Sequence, residues 1–430
     1  MNGIFSDEFQ ATPYWWDKTP RPTCTDTTLP GQTDVLIVGS GYTGLNAGLV
    51  TARSGLDTVI VDAESAGWGC SSRNGGQLSG EIKPGYAELS RRYGHDRACA
   101  IVLEARKGLD WIGEFIRTEA IDCDFKRSGR LHAAHSPRQF ALQAHEFRHQ
   151  IKGLERAGHL VEKADLRSEI DSPFYHGGLV IDSHASLDPA RYHQGLYDRA
   201  LASGCRIIGN CRVTKINRNK DGFEVVTEQG RIRASKVIIA TSGYTGSATP
   251  WHRRRIIPIG SYMLATELLD TSLVRQLIPN DRVISDTRKL VVYFRASPDG
   301  RRILFGGRVS LKETDPLRSA PPLRLEMLRI FPQLAQAKIS RAWMGFVGYT
   351  FDKLPHLGED NGLYYAMGYC GSGICLASYF GRRIGEQAAA HPGAAIAMNG
   401  LKFETRPLYQ GNPWFLAPTI RYYQIKDRLN

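Results

Sequence analysis

The sequence predicts an α/β chain in which a doubly wound, largely parallel sheet is visited three times and a second, antiparallel sheet is built between the visits. Three observations carry this. An apolar run from Asp34 to Val38 leads directly into Gly39, Ser40, Gly41, Tyr42, Thr43 and Gly44, and a helix begins near Leu45. A second short apolar run, Lys236 to Thr241, ends in Ala240 and Thr241, and a third, Leu363 to Met367, opens into the turn Gly368 to Gly373 and a helix from Ile374 to Ala390. Between the second and third visits, Ile257 to Leu268 and Val291 to Val309 alternate apolar with polar residues, the period of antiparallel strands.

Strand, Gly-x-Gly-x-x-Gly and helix follow one another in the order of a dinucleotide-binding turn. Gly39 makes the tight turn, Gly41 lets the backbone approach a pyrophosphate, and Gly44 lets the helix pack closely on the strand. The helix start offers free N–H groups and the positive end of its dipole. The helix ends at Gly55, and the next apolar strand, Thr58 to Val61, ends at Asp62, where a carboxylate can accept from a ribose 2′-OH. No Arg stands there, which favours an unphosphorylated adenosine ribose. The turn alone leaves FAD and NAD open.

With 430 residues the chain is long enough for two or three cores or for one pair of interleaved domains. Hydrophobic and charged contents of 42% and 23% exclude disorder on a large scale. The net charge of +12 is dispersed, with short clusters at Arg253 to Arg255 and Arg301 to Arg302. It reads as a solvated basic surface that helps draw in anionic ligands, and no nucleic-acid partner is expected. The eight cysteines show neither a C-x-x-C pair nor Cys/His ligand spacing, so no metal is expected and the thiols read as reduced, in a cytoplasmic protein. Met1 to Gln32 lacks the apolar core of a signal peptide, and no run of about twenty apolar residues exists to span a membrane.

In chain order, Met1 to Gly31 reads as an extended arm whose Trp15 and Trp16 dock on the body. After the second strand, the loop Gly67 to Gln77 is too rich in glycine and small polar residues to be core. Its backbone N–H groups, with Ser71, Ser72, Asn74 and Gln77, can lie along a flat polar ligand, and Arg73 adds a fixed positive charge. From Tyr86 to about Ala164 the pattern is mostly helical, with a strand between Phe125 and Ala134. Asp188 and Pro189 open a further helix as N-cap and first-turn proline. A meander runs from Arg206 through Val213 to Ile216, then Phe223 to Thr227 and Arg231 to Arg233, turning at Asp221 and Gly222. Leu273 to Ile278 and Leu323 to Phe331 look helical.

The glycine turn, the Gly67 to Gln77 loop, the strand ending at Ala240 and Thr241, the Trp343 to Pro355 segment and the terminal Gly-rich turn together resemble the FAD-dependent glycine/D-amino-acid oxidase superfamily. The arm at Pro13 to Trp15, the Ser72 to Gly76 loop and Pro413 to Leu416 are most similar to its γ-glutamylputrescine oxidase group. The resemblance implies a Rossmann-like FAD-binding domain of the glutathione-reductase type, assembled from 34–90, 165–250 and 340–430. An antiparallel substrate domain from 91–164 and 251–339, and an arm over 1–33, complete it. It also implies FAD-dependent oxidation of a C–H bond next to an amine nitrogen, by hydride transfer to flavin N5 and hydrolysis of the imine. Residues implied at the FAD are Gly39 to Gly44, Asp62, Ala63, Trp68, Gly69, Ser71 to Gln77, Val213, Ala240, Thr241, Gly371, Ser372, Gly373 and Ile374. The positive end of the helix near Gly373 suits the anionic reduced flavin.

Departures from the family pattern bear on the substrate. A carboxylate-binding Arg usually follows the Trp-x-Gly step, whereas Trp343, Met344 and Gly345 are followed by Phe346 and Val347. An apolar side chain cannot clamp a carboxylate, so an amine without an α-carboxylate, such as γ-glutamylputrescine, is favoured. The alternative is an α- or N-methyl amino acid held by Arg295 or Arg308. Tyr262, Tyr293 and Tyr349 are candidates for an aromatic cage around a substrate ammonium, and Glu267 and Asp286 read as solvated surface. Sarcosine oxidases place a Lys beside flavin N5, but Ile303 to Arg308 has none; Arg308 is the substitute, with Tyr262 as a second catalytic candidate. Oxygen or another acceptor is left open. No Cys stands near Gly345 in sequence, so the FAD is expected to be non-covalent. An RNA-modifying flavoprotein and a flavin-binding protein without turnover are the readings from other classes.

Overall fold

The fold is that of a computed structural model, which describes residues 2–24, 28–308, 310 and 313–429. Met1 and Thr25 to Thr27 of the expected arm, the expected strand end at Val309 and Asn430 at the end of the expected third FAD-domain segment lie outside the described residues.

In the first sheet, Arg206–Ile208, Thr58–Val61, Gln32–Val38, Gly230–Ile239 and Leu363–Met367 pair in parallel, in that order, so the chain does visit this sheet early, midway and late. Gly230–Ile239 also closes an antiparallel meander with Gly222–Thr227 and Val213–Asn219. Two strand assignments differ from the sequence reading. Arg206–Ile208 is a parallel strand beside Thr58–Val61 rather than the start of the meander, because the helix Pro189–Ala202 carries the chain back over the sheet before it. Arg231 to Arg233 and Lys236 to Ile239 form one strand of ten residues. Burial alternates in its first half, where one face is wet, and becomes continuous in its second half, where both faces are covered.

The second sheet has nine strands, ordered Phe5–Gln10, Ile339–Tyr349, Ile257–Thr266, Ile303–Gly307, Tyr293–Ala296, Val283–Asp286, Arg130–Ala133, Gly177–Ile181 and Gly158–Glu162. Pairing is antiparallel except at Phe5–Gln10 and between Val283–Asp286 and Arg130–Ala133. Gly177–Ile181 and Ile339–Tyr349 thus belong to this sheet, whereas the sequence grouped them with the first domain. One face carries Tyr262, Leu264, Phe294 and Phe305 against the helix Pro316–Ile330. The other face looks toward the first sheet and its loops.

Local chemistry sets the elements. Asp188 caps its helix by accepting from Ala190 N at 2.9 Å and Arg191 N at 3.1 Å, with Pro189 in the first turn. The helices Tyr42–Arg53 and Gly373–Ala388 cross closely. A Cβ at Gly381 would stand 2.4 Å from Thr43 O, and one at Gly385 2.8 Å from Ala47 O. The arm is an edge strand followed by a 3-10 turn, Tyr14–Trp16, that buries Trp15 to 1% exposure.

Two outcomes follow from this packing. Trp15→Ala removes a buried indole and its hydrogen bond, and it should lower stability by about 3–5 kcal/mol in a urea titration. An unchanged midpoint would show that the arm is not part of the core. Burial, with nearby Arg side chains adding to it, pulls His184, His193 and His252 down to about 3 each. The unfolded chain, at about 6.5, then binds protons that the native state refuses. Stability is therefore complete above about pH 6.5 and falls as pH drops toward 3, by about 2 kcal/mol per histidine at pH 5. Urea midpoints at pH 7 and pH 5 measure it.

Candidate active site

The C-terminal ends of the parallel strands converge on the glycine turn. Gly39 has φ +106°, and a Cβ there would stand 3.0 Å from Ala240 O. A Cβ at Gly44 would stand 1.8 Å from Gly39 O, so the helix can approach the strand only as glycine. At Gly41 a Cβ would meet Ser71 Oγ at 2.8 Å, and that hydroxyl accepts from Tyr42 N at 3.0 Å. Ser71 thus sits at the helix N-terminus with its own proton left to donate. Asp62 Oδ2 accepts from Ser40 N at 2.8 Å and Ser40 Oγ at 2.6 Å, and Oδ1 accepts from Glu64 N at 3.1 Å, across Ala63. Burial raises this carboxyl and the Ser40 and Glu64 donors oppose the rise. Val213 opens the meander two residues after Cys211, whose N–H donates to Asp62 O at 2.7 Å. Thr241 Oγ1 bonds Thr245 Oγ1 at 2.8 Å. His193, which the sequence reading missed, holds the turn from below through Nε2 and Ser40 O at 2.8 Å.

The sequence reading aims the loop Gly67 to Gln77 at a ligand, yet the structure turns most of its side chains onto the protein. Arg73 lies between two indoles, 4.2 Å from the Trp68 ring centre and 4.6 Å from that of Trp16, and its Nε donates to Trp68 O at 2.6 Å. Ser72 Oγ donates to Gly67 O at 2.6 Å and accepts from Trp16 Nε1 at 2.9 Å. Asn74 bridges Cys70 O, Ser71 O and Gly76 N. Gln77 Nε2 donates to Phe294 O at 3.1 Å. A loop this poor in apolar side chains needs these bonds to hold one shape. What it leaves for a ligand is Ser71 Oγ and backbone. Gly69 lies against Tyr244, where a Cβ would come within 3.2 Å of the ring.

The period of two divides the substrate candidates between opposite faces of the nine-stranded sheet. Ser261 pairs with Gly345, Ile259 with Val347, Ile257 with Tyr349 and Ser285 with Tyr293, so these share the face toward the loop. Tyr293 Oη bonds Ser261 Oγ at 2.8 Å, and its ring lies over Gly306 and Gly75, where Cβ atoms would come within 2.4 Å and 2.9 Å. Tyr262 and Phe346 point the other way. Tyr262 Oη donates to Glu313 Oε2 at 2.9 Å, and Arg308 Nη1 donates to Glu313 Oε1 at 2.9 Å and Gly260 O at 2.7 Å. Tyr262 and Arg308 thus meet at Glu313, on the face away from the loop. Phe346 packs edge-on against Tyr244 at 5.6 Å between ring centres. Arg295, 2% exposed, donates Nε to Ala296 O at 3.0 Å and Nη1 to Gly76 O at 3.1 Å and Leu187 O at 2.9 Å, so it clamps the loop. Asp286, read as solvated surface, is buried and paired with Arg288 at 2.6 Å. Glu267 accepts from Lys338 N at 2.8 Å.

The far wall is the terminal turn. Cys370 and Gly371 have φ +52° and +102°, and Ser372 caps the helix Gly373–Ala388 without a side-chain bond, leaving the first N–H groups, including that of Ile374, free. A Cβ at Gly371 would lie 3.9 Å from Lys83 Nζ and 3.8 Å from Tyr349 Oη. Lys83 was missed because nothing in its local sequence marks it; only the fold brings it here. Cys70 was missed for the same reason, since its Sγ is 3.7 Å from the Cβ position of Gly345. Burial pushes that thiol up to about 11, with Arg73 pulling back. Two helix N-termini, a ribose-suited carboxylate and a glycine-lined cleft between the sheets fit FAD, whose pyrophosphate Gly41 and Ser71 would hold. A surface hollow beside Gly113 and Arg117 lies away from this cleft.

Gly41→Val should leave a folded but colourless protein, because the side chain fills the approach beside Ser71 Oγ; visible absorbance per protein measures it. Retained flavin would place the pyrophosphate elsewhere.

The FAD dependent oxidoreductase family (DAO) matches residues 34–387. The chain is 32% identical over 405 residues to gamma-glutamylputrescine oxidoreductase of Escherichia coli K12, covering 92% of this chain and 93% of that one. It is 29% identical to the probable oxidoreductase OrdL of Rhizobium meliloti, covering 96% and 97%. Glycine oxidase from Geobacillus kaustophilus has the same fold, with a TM-score of 0.74 at 18% identity over 88% of this chain and 99% of that one. The chain belongs to the DAO family of FAD-dependent oxidoreductases and is an enzyme of amine or amino-acid oxidation.

Proposed function

We propose that the protein oxidises the C–H bond next to the free amine of γ-glutamylputrescine or a related acylated diamine. The observation that carries this is the composition of the cleft wall opposite the loop. Ser261, Gly345, Val347, Tyr293 and Tyr349 carry no formal charge and Arg295 is committed to carbonyls, so no guanidinium of the strand pair meets a carboxylate beside the reacting carbon. The 32% identity to gamma-glutamylputrescine oxidoreductase over most of both chains supports the same reading.

FAD supplies the two-electron acceptor. The chain's own residues do the rest. Tyr293 and Tyr349 offer ring faces to an ammonium, and Ser261 Oγ fixes the Tyr293 hydroxyl at 2.8 Å. Burial raises both phenols, Tyr293 to about 12, so they stay protonated and serve as hydrogen-bond partners rather than bases. The free N–H groups at Gly373 and Ile374 provide a fixed positive end for charge developing at their wall. The Cys70 thiol stays protonated at neutral pH, which supports non-covalent FAD. All eight cysteines are free thiols, in keeping with a cytoplasmic setting. Among the described residues no helix is long and apolar enough to cross a membrane.

Lys83 favours a second reading, since its ammonium beside Gly371 could take the carboxylate of an N-methyl or α-amino acid. Anaerobic addition of γ-glutamylputrescine should bleach the visible spectrum, and glycine, D-alanine or an N-methyl amino acid should not. Bleaching by the amino acids alone would replace the first reading with the second. The rate at which colour returns on admitting oxygen separates oxidase from dehydrogenase. Acid precipitation should release all flavin into the supernatant; flavin left on the pellet would contradict non-covalent binding.

A further inference from the structure

Beyond the wall of tyrosines, the same sheet face carries a group of charged side chains that the proposed oxidation does not use. Arg130 and His132 alternate with the core residues Leu131 and Ala133, so they face the cleft side, two strands from Tyr293. Glu81 and Lys83 reach them from the segment after the glycine loop, with Arg156 and His184 behind. Arg156 Nη1 is paired with Glu81 Oε1, and Glu81 keeps 35% of its side chain accessible. Arg130 makes one bond, from Nη1 to Ser285 Oγ at 3.3 Å, while its Nε is buried without a partner. His184, 1% exposed, has its Nδ1 without a partner as well. No hydrogen bond or ion pair among the described residues engages Lys83 Nζ or Glu81 Oε2.

Three cations stand against one carboxylate here. The two histidines add no charge: burial, with Arg130 next, lowers His132 to about 4 and His184 to about 3. Burial would raise Glu81, but Arg156 foremost, with Arg130, outweighs it and holds the carboxyl ionised, near 2. Lys83 is exposed and Glu81 half-buried, while Arg130 Nε is buried without a partner; this excess of cations suits a ligand bringing its own anion together with a cation for the free carboxylate oxygen. Spacing agrees. Through Ser285, His132 is in register with Tyr293 and Arg130 lies two residues further along its strand, about 12 Å from Tyr293 between backbones, and the eight bonds from the reacting carbon of a glutamyl-capped four-carbon diamine to its α-carbon span about 10 Å when extended, the rest being within reach of the Arg130 side chain.

We propose that Arg130, Lys83 and Glu81 form a subsite for the zwitterionic α-amino-acid head of an acylated amine, with Arg130 and Lys83 on its carboxylate and Glu81 Oε2 on its ammonium. The inference rests on the proposed amine oxidation for the position of the reacting carbon. Its test does not depend on turnover. The probe is γ-glutamyl-n-propylamide, which has the head but no oxidisable terminal amine, titrated calorimetrically into the FAD-loaded enzyme beside the analogue lacking the α-carboxylate. The wild type should bind the full probe at least tenfold more tightly. Arg130→Gln should lose that preference and bind both alike, and in turnover it should raise KM for γ-glutamylputrescine at least tenfold. Equal binding of the two probes by the wild type overturns the subsite even if the variant does not fold. So does a full preference retained by Arg130→Gln. Preferential binding that depends on Arg130, without bleaching by γ-glutamylputrescine, keeps the subsite and sinks the proposed oxidation instead.

Discussion

The structure depends on holding one loop still. Residues 67–77 lie where the two sheets meet, and Trp68 and Leu78 at their ends are the nearest large apolar side chains they have. Hydrophobic burial cannot fix such a segment, so hydrogen bonds from outside do. Three indoles donate into it: Trp15 to Asn74 O at 2.9 Å, Trp16 to Ser72 Oγ at 2.9 Å and Trp343 to Arg73 O at 2.7 Å. Arg295 adds a fourth contact at Gly76 O. Each bond contributes about 1 kcal/mol net. Leaving any of these buried acceptors unpaired would cost more, which is why the arm, the strand next to the edge and the centre of the sheet all converge there.

That constraint explains why the chain places large rings against glycines. Tyr293 can lie flat in the cleft only because Gly75 and Gly306 have no Cβ, and Gly345 keeps the neighbouring strand low beside Arg73 and Cys70. The loop backbone and the sheet approach each other to a distance set by one aromatic ring. Rigid indole clamps on one side and glycine on the other make the cleft a slot, a shape suited to a flat cofactor with a small substrate beside it.

The cofactor half was legible in the sequence and much of the substrate half was not, for a physical reason. Gly39, Gly44 and Asp62 sit on a strand, turn and helix whose order fixes their geometry locally. Capping at Asp188 and close packing at Gly381 and Gly385 are equally local. The nine-stranded sheet is covered on both faces, by the helix Pro316–Ile330 on one and by the loop on the other, so the polar-apolar alternation that would phase its strands is weak. Tyr262 and Tyr293 looked equivalent, and only register shows that one faces Glu313 and the other Gly75. A shift of one residue in phase moves every side chain to the opposite face of the sheet. Lys83, Glu81 and Arg130 carry no local pattern at all, because their meeting is a product of topology.

Charge is distributed along the cleft in a graded way. At the glycine turn the positive element is a helix end, partly met by Ser71 and Asp62. In the middle, around Tyr293 and Ser261, the walls are neutral and the phenols are held protonated by burial. At the far end, Arg130 and Arg156 outnumber Glu81, and Lys83 stands between that group and Tyr349. A neutral centre keeps a substrate amine from being fixed as a buried salt bridge, whose desolvation the enzyme would have to undo before an uncharged amine could react. A substrate anchored by groups remote from the reacting carbon would be oriented without stabilising the wrong protonation state.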